Sequence, residues 1–460
     1  MNPYHNPVFL LKILKSYLTE IDRIWHTTPE KLEKLQDKEF KKMVKYAYTV
    51  PLYHEKYKKA GVKPYDINGI KDIKKLPIIT KNDLRDNYPN GIVPKKFDKK
   101  NSFLVSTSGS TGKPVFCYYS ILTAIKFTIG GMRSLKPTGA VWNKSKMCLI
   151  IDMKEGSVEK ASYEDAFTPF FKRVLKTDNI LYLHVGDPLN KILEKVKKFN
   201  PEYLTSDPNM LRQLANLKIN GKLDYLNPKW LYSGSAMLDD YTRKYVEKAF
   251  NAKIFDNYNS TEAGNMAFQC LEKKGFHVNS DYLHMEFLDD NGEDVEYNKP
   301  SRLHVTRLFG YDTPIIRYNG LDDIVTPIEP LNCCGVTTLQ MIKDIHGRKM
   351  EFIYLPSGKK IAPFKITTIP ASVMDKLDTY KIKQFQIIQH KIDLVEVKII
   401  IDEKLRNIGP SVKKIKEEIF SEFKKVTFDE IEIKVNEVKD INKDLKSNLV
   451  KVVISKIKQK

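Results

Sequence analysis

Ser106-Thr107-Ser108-Gly109-Ser110-Thr111-Gly112-Lys113-Pro114 carries the strongest chemical signal in this chain. It follows a short apolar strand-like run and is rich in glycine and hydroxyls. Glycine lets backbone N–H groups come close to an anion, the hydroxyls add donors, and Lys113 adds charge, so the loop suits a polyphosphate. It is not a Walker loop, because the glycines stand too close together and Pro114 occupies the place of the magnesium-binding hydroxyl. Taken alone, the stretch reads equally well as a surface linker.

Working outward, short apolar runs at 146–153, 180–185, 230–234 and 253–258 alternate with helical stretches such as 239–250, a pattern that predicts an α/β domain. Upstream, 29–60 is helical and amphipathic, with Thr28 as a cap and Leu32, Leu35, Phe40, Met43, Val44 and Ala47 at roughly helical spacing. Asp289-Asp290-Asn291-Gly292 predicts a hairpin turn, since Asn-Gly tolerates positive φ angles. Beyond Gly347 the texture changes to strands at 385–389 and 394–402, a helix at 411–425 and a strand at 430–438. The expected architecture is a large N-terminal α/β domain of mixed sheets and helices over 1–346, with a helical preface to about 100. A small mobile α+β domain over 347–460 completes it.

The 77 Lys and Arg against 57 Asp and Glu give a formal charge of +20, but the lysines are scattered along the chain and read as a solvated surface, so no nucleic-acid partner is expected. Five cysteines do not make a disulfide framework and suit a reducing cytoplasm. The apolar run from Pro7 to Leu14 is broken by lysine and falls short of the ~18 residues a membrane span needs. It predicts a packing helix and no transmembrane segment. Cys117 and Cys148 lie in strand-like surroundings and read as core. No histidine follows a recognised nucleophile elbow, so nucleophilic triad chemistry is not expected.

The order Ser/Thr-Ser-Gly-Ser/Thr-Thr-Gly-Lys-Pro resembles the signature loop of the adenylate-forming superfamily, which includes acyl-CoA synthetases, luciferases and peptide-synthetase activation domains. Asp256-Asn257-Tyr258-Asn259-Ser260-Thr261-Glu262 resembles its second element, with Asn259 where relatives usually have Gly. Tyr232-Ser233-Gly234-Ser235-Ala236 is similar to the adenine-facing turn, and 312–323 to the ribose-binding element. Gly347-Arg348-Lys349-Met350-Glu351 resembles the interdomain hinge, with Met350 in the place of the usual acid. At the front, 35–57 and Leu76-Pro77-Ile78-Ile79-Thr80-Lys81 through Tyr88-Pro89 resemble the phenylacetate-CoA ligases and their capsule-biosynthesis relatives.

The resemblance implies roles for individual residues. Thr107, Ser108, Gly109, Ser110, Thr111, Gly112 and Lys113 would hold the phosphates of ATP, and Thr261 would reach the α-phosphate. Glu262 would help hold Mg²⁺, as a carboxylate suits a hard cation. Gly234, Ser235, Asp256, Asn257 and Tyr258 would form the adenine side, with Tyr258 stacking on the base. Asp322, favoured over Asp323 by an ungapped reading, would grip the ribose, and Arg348, at the hinge, would also bind the nucleotide. Relatives end on a catalytic lysine; Leu449 occupies that place here, and Lys446 and Lys451 are the nearest substitutes. Cys270, His277, Cys333 and Cys334 fall where some relatives carry a Cys/His cluster, and their soft ligands suit a structural zinc; buried unpaired thiols are the alternative.

The expected activity is ATP-dependent activation of a small carboxylic acid as its adenylate, followed by thioester formation with coenzyme A, in an AMP-forming ligase. The alternatives are an adenylylating synthetase acting on a deazaflavin coenzyme, a catalytically weakened nucleotide-binding relative, and a basic polyanion-binding protein. Tyr118, Tyr119 and Phe127 suggest an aromatic or apolar acid, and a homodimer stays open by analogy.

Overall fold

The structure is a computed structural model that describes residues 6–107, 113–172, 177–331, 333–348, 352–377, 379, 381–403, 405–441 and 452–457. A hairpin comes first in the strand order, β1 (Ser102–Ser106) pairing antiparallel with β2 (Phe116–Ser120) and carrying the glycine-rich loop between them. Five strands then form a parallel array: β3 (Met147–Ile151), β4 (Ile180–His184), β5 (Tyr203–Ser206), β6 (Trp230–Ser233) and β7 (Ile254–Ser260). Each step between them includes a helix, among them Leu189–Phe199, Pro208–Ile219 and Asp240–Phe250, as parallel pairing demands a long crossover.

The sheet continues antiparallel through β8 (Gly264–Gln269), β9 (Phe276–Val278), β10 (Leu283–Leu288), β11 (Ser301–Arg307), β12 (Asp323–Ile328) and β13 (Met341–Arg348). Together they make one 11-stranded sheet in the order β10-β11-β12-β13-β9-β8-β7-β6-β5-β3-β4. The predicted turn closes after β10, where Asp289 N–H donates to the Glu293 carbonyl at 2.8 Å and Gly292 takes φ +85°.

The helical preface packs onto the antiparallel half. Helix Pro29–Ala47 buries Leu32, Phe40, Met43, Val44 and Ala47, and Thr28 caps it through the Lys31 N–H. Leu35, expected on the same face, is only partly buried, while Gln36 is buried and donates to the Ser280 and Leu283 carbonyls at 2.6 and 3.0 Å. Tyr53 donates to the Pro314 carbonyl at 2.7 Å. Helix Pro7–Glu20 buries Ile13 but leaves Val8, Leu11, Leu14 and Leu18 exposed, so the apolar run expected to pack does so on one side. No helix among the described residues is long and apolar enough to cross a membrane.

After β14 (Ile353–Tyr354) and β15 (Lys360–Ile361) comes a separate four-stranded sheet of β16 (Ile382–Lys391), β17 (Leu394–Ile401), β18 (Glu432–Glu437) and β19 (Val453–Ser455), in the order β18-β17-β16-β19. Strict alternation along β17 buries Val395, Val397, Ile399 and Ile401 on one face, against which helix Val412–Val426 packs Ile415, Ile419 and Phe423. This small α+β unit rests on the helices that cover the parallel strands. Arg212 donates to the Ile382 carbonyl at 3.1 Å, and Tyr241 donates to the Met374 sulfur at 3.3 Å.

Candidate active site

In open α/β sheets ligands collect outside the carboxyl ends of parallel strands, where the strand order reverses. Here the order β4-β3-β5 reverses at β3, and a cavity of about 540 Å³ opens there, a size typical of small-molecule sites. Its walls are the residues at and just beyond the strand ends: Ile151 ending β3 and Asp152 after it, Val185 and Gly186 after β4, Asp207 after β5 and Ser235 after β6. Ser106, Thr107 and Pro114 reach it from the hairpin, and Ser260, Thr261 and Glu262 from the end of β7. The two motifs that the sequence holds some 150 residues apart therefore face one space.

Thr107 closes the base of the glycine-rich loop: its N–H donates to the Val115 carbonyl and its Oγ1 accepts from the Val115 N–H, both at 3.0 Å. Ser108, Gly109, Ser110, Thr111 and Gly112 lie outside the described residues. Lys113 is exposed at the far end of the loop, and its carbonyl accepts from Arg85. Arg85 and Lys81 themselves line the cavity. Both stand in the stretch quoted for its resemblance, yet no signal short of the fold marked them as site cations.

Glu262 is 4% exposed and its Oε1 accepts from the Tyr318 hydroxyl at 2.9 Å. Arg307 donates to the Glu262 carbonyl at 3.1 Å while its guanidinium is tied to Asp312 at 2.6 Å, so a buried ion pair braces the turn that presents the carboxylate. The Thr261 carbonyl accepts from Tyr119. Tyr258 is buried beneath the cavity, its hydroxyl donating to Asp323 Oδ2 at 2.5 Å. A bulge in β7 between Tyr258 and Asn259 turns Asn259 to the cavity side.

Asp323 lines the cavity together with Gly320 and Leu321. Asp322 instead adopts φ +60° and forms an ion pair with Lys81 at 2.6 Å. Arg348 pairs opposite Asp323 in the β12–β13 register, so β13 takes in Gly347 and Arg348 of the expected hinge; Lys349, Met350 and Glu351 lie outside the described residues. Lys446, Leu449 and Lys451 also lie outside them.

Gly234 and Ser235 follow β6 and line a second, smaller cavity of about 90 Å³ that adjoins the first. A Cβ at Gly234 would come within 3.2 Å of Asn259 Nδ2, so the missing side chain at 234 accommodates the Asn that replaces the usual Gly at 259. Asn257 lines this smaller space, whereas Asp256 is buried behind it. Burial pushes the Asp256 carboxyl up to about 7, against the opposing pull of Arg243 and donors from Asn257 and Ser233. Of the aromatics expected around the acid, only Phe127 faces a cavity; Tyr118 and Tyr119 are packed in the core because they alternate along β2 between two covered faces. The aromatic walls come from Trp142, Tyr163, Phe167, Tyr182 and Tyr203.

Away from the cavity, Cys270, His277, Cys333 and Cys334 converge, with all their ligand atoms within 4.8 Å of one another. Cys270 Sγ and Cys333 Sγ are 3.7 Å apart, and His277 Nε2 lies 3.3 Å from Cys333 Sγ and 3.6 Å from Cys334 Sγ. Tetrahedral ligation at a Zn–S distance of about 2.3 Å places ligand atoms roughly 3.8 Å apart, so the donor set fits. Cys334 takes φ +49°, which turns its thiol to the same centre as its neighbour's. Cys117 and Cys148 are buried as expected.

No family model matches the chain. It is 25% identical over 397 residues to a phenylacetate-coenzyme A ligase of Thermus thermophilus, covering 83% of this chain and 84% of that one. It is 26% identical over 411 residues to the protein CapK of Staphylococcus aureus, covering 88% and 86%. Among solved structures, it resembles a 2-hydroxyisobutyryl-CoA ligase in its postadenylation state, with a TM-score of 0.77 and 16% identity over 93% of this chain and 90% of that one. Over most of its length the chain is thus similar in sequence to phenylacetate-coenzyme A ligases, and it shares the fold of a 2-hydroxyisobutyryl-CoA ligase.

Proposed function

We propose that the chain activates a carboxylic acid with ATP and passes the acyl group to coenzyme A. A carboxylate oxygen of the acid attacks the α-phosphorus, the bond to pyrophosphate breaks, and an acyl adenylate forms. In the second half-reaction the coenzyme A thiol loses its proton, its sulfur attacks the acyl carbon and AMP leaves. The observation that carries this reading is the meeting of Thr107 with Thr261 and Glu262 in one cavity at the carboxyl edge of the parallel strands.

Catalysis by such a site is mainly positioning and charge stabilisation. Thr107 and the loop after it would cradle the phosphates, with Arg85 supplying positive charge. Asp323, rather than Asp322, would meet the ribose, because it faces the cavity while Asp322 is engaged with Lys81. Glu262 would hold a magnesium ion, which neutralises phosphate charge when bound. We place the small C-terminal unit, 347–460, as a body that reorients between the two half-reactions, in line with the lid motions of two-step enzymes. A structural zinc on Cys270, His277, Cys333 and Cys334 completes the reading.

The test is isotope exchange between pyrophosphate and ATP across a panel of acids, followed by thioester detection with coenzyme A. Acid-dependent exchange is expected. ATP binding without exchange for any acid would leave a nucleotide-binding relative. A stable adenylylated product formed without coenzyme A would favour the coenzyme-adenylylating alternative.

A further inference from the structure

Between the larger cavity and the smaller one stands Glu159, which lines both. It immediately precedes a π-helical stretch, Lys160–Phe167, and the wide turn of that helix brings Tyr163 and Phe167 to the smaller cavity as well. Such stretches are rare and concentrate at functional sites. The Glu159 carboxylate accepts from Ser235, itself held at φ +65° after β6. Among the described residues no lysine, arginine or histidine pairs with it: the neighbouring Lys160 turns away to Glu155 and Asp165 at 2.9 Å. Burial, reinforced by the charge of Asp152, pushes Glu159 up to about 7.

A carboxyl group with one hydroxyl donor and no cation opposite it keeps acceptor capacity for a further donor. Glu159 is also the only Asp, Glu, Lys, Arg or His on the smaller cavity's wall among the described residues, which is otherwise aliphatic, aromatic, hydroxyl or amide. The acid's own carboxylate would be repelled there and belongs in the larger cavity, beside Thr261. The far end of the acid is then the part that reaches Glu159. At about 90 Å³ the smaller cavity gives that end room for a short group.

Resting on the ligase reading above, we propose that Glu159 is a specificity-determining residue and that the acid is a short one bearing a hydrogen-bond donor, an amino or hydroxyl group, directed at Glu159. A site built to hydrogen-bond a substituent rejects the analogue lacking it far more strongly than an apolar pocket rejects an extra methylene.

The experiment compares butanoate with its 2-, 3- and 4-hydroxy and amino derivatives, and with phenylacetate, in pyrophosphate exchange by the wild type, Glu159→Gln and Glu159→Leu. The wild type is expected to prefer at least one substituted acid by tenfold or more, and Glu159→Leu to erase or invert that ratio. Glu159→Gln is expected to keep a hydroxyl preference while losing an amino one. Because both acids are measured on one preparation, partial unfolding of a variant cancels from the ratio. A wild-type preference for butanoate or phenylacetate over every substituted acid, or a ratio that Glu159→Leu leaves alone, overturns the inference and leaves the ligase reading standing. Exchange with no acid at all overturns both.

Discussion

At the residue scale, Glu262 is held by groups that survive a conservative change. Glu262→Gln keeps an oxygen to accept from Tyr318, so the melting temperature should stay within a degree or two. Acid-dependent exchange should fall about 10²- to 10³-fold, the usual cost of removing one charge-stabilising group. Initial-rate exchange assays beside a thermal melt check both halves. Asp256 offers a second prediction, through pH. Burial raises its proton affinity in the folded chain to about 7, above that of an ordinary carboxyl, so the native state binds the proton more tightly than the unfolded state does. Stability is then gained as pH falls below about 7 and lost as pH rises through it. Asp256→Asn should flatten the melting profile between pH 5 and 8 and be the more stable protein at pH 8, by on the order of 1–4 kcal/mol. Parallel profiles for variant and wild type would refute this account.

At the scale of elements, the helix Ile121–Met132 and the residue after it lock the preface to the sheet. Arg133, fully buried, donates to Asp281 at 2.7 Å through both terminal nitrogens and also reaches the Glu20 carbonyl. Gly131 in this helix faces Asn265 and Tyr163, and a Cβ there would come within about 3 Å of both. Truncating Arg133 to Ala leaves buried Asp281 with Arg23, at 3.1 Å, as its remaining ion-pair partner and should cost about 3 kcal/mol in denaturant unfolding. The Cys/His cluster is a second tie. It joins the end of β8, β9 and the segment before β13, and Thr337 from that segment donates to the Ile24 carbonyl of the preface at 2.7 Å. Metal analysis should find one zinc per chain, and chelation should lower the melting temperature without abolishing pyrophosphate exchange, since the cluster is not part of the cavity wall. A chain that carries no zinc, with an unchanged melt in chelator, would return these residues to plain buried thiols.

For the whole molecule, one question is whether the +20 charge or the cavity dominates binding. Mg-ATP at a hundred times its dissociation constant should stabilise the native state by about 2.7 kcal/mol, read as a rise in melting temperature. Duplex DNA at physiological salt should give no comparable rise. The opposite pair of outcomes, with steep salt dependence, would support a polyanion binder.

Much of the parallel half of the fold was legible in the chain. Runs such as Met147–Ile151 and Trp230–Ser233 are short, apolar and punctuated by helical stretches, and local hydrophobic patterning is enough to read them. The small α+β unit was equally visible, because β17 alternates residue by residue. The letters of the loop at Ser106 and of Thr261-Glu262 pointed to a nucleotide, but chemistry spelled in sequence has no position. Lys81, Arg85 and Glu159 are ordinary charged residues in the string, and they come to line one cavity only because hairpin, helix and strand ends 80 to 180 residues apart are folded to one edge. Which of Asp322 and Asp323 lines the cavity likewise depends on backbone direction, since neighbouring side chains in extended chain point opposite ways and a left-handed residue sends one of them to Lys81. Patterning along the chain thus specifies elements and kinds of chemistry; distance between elements, and with it which charges meet, exists only once the chain has closed on itself.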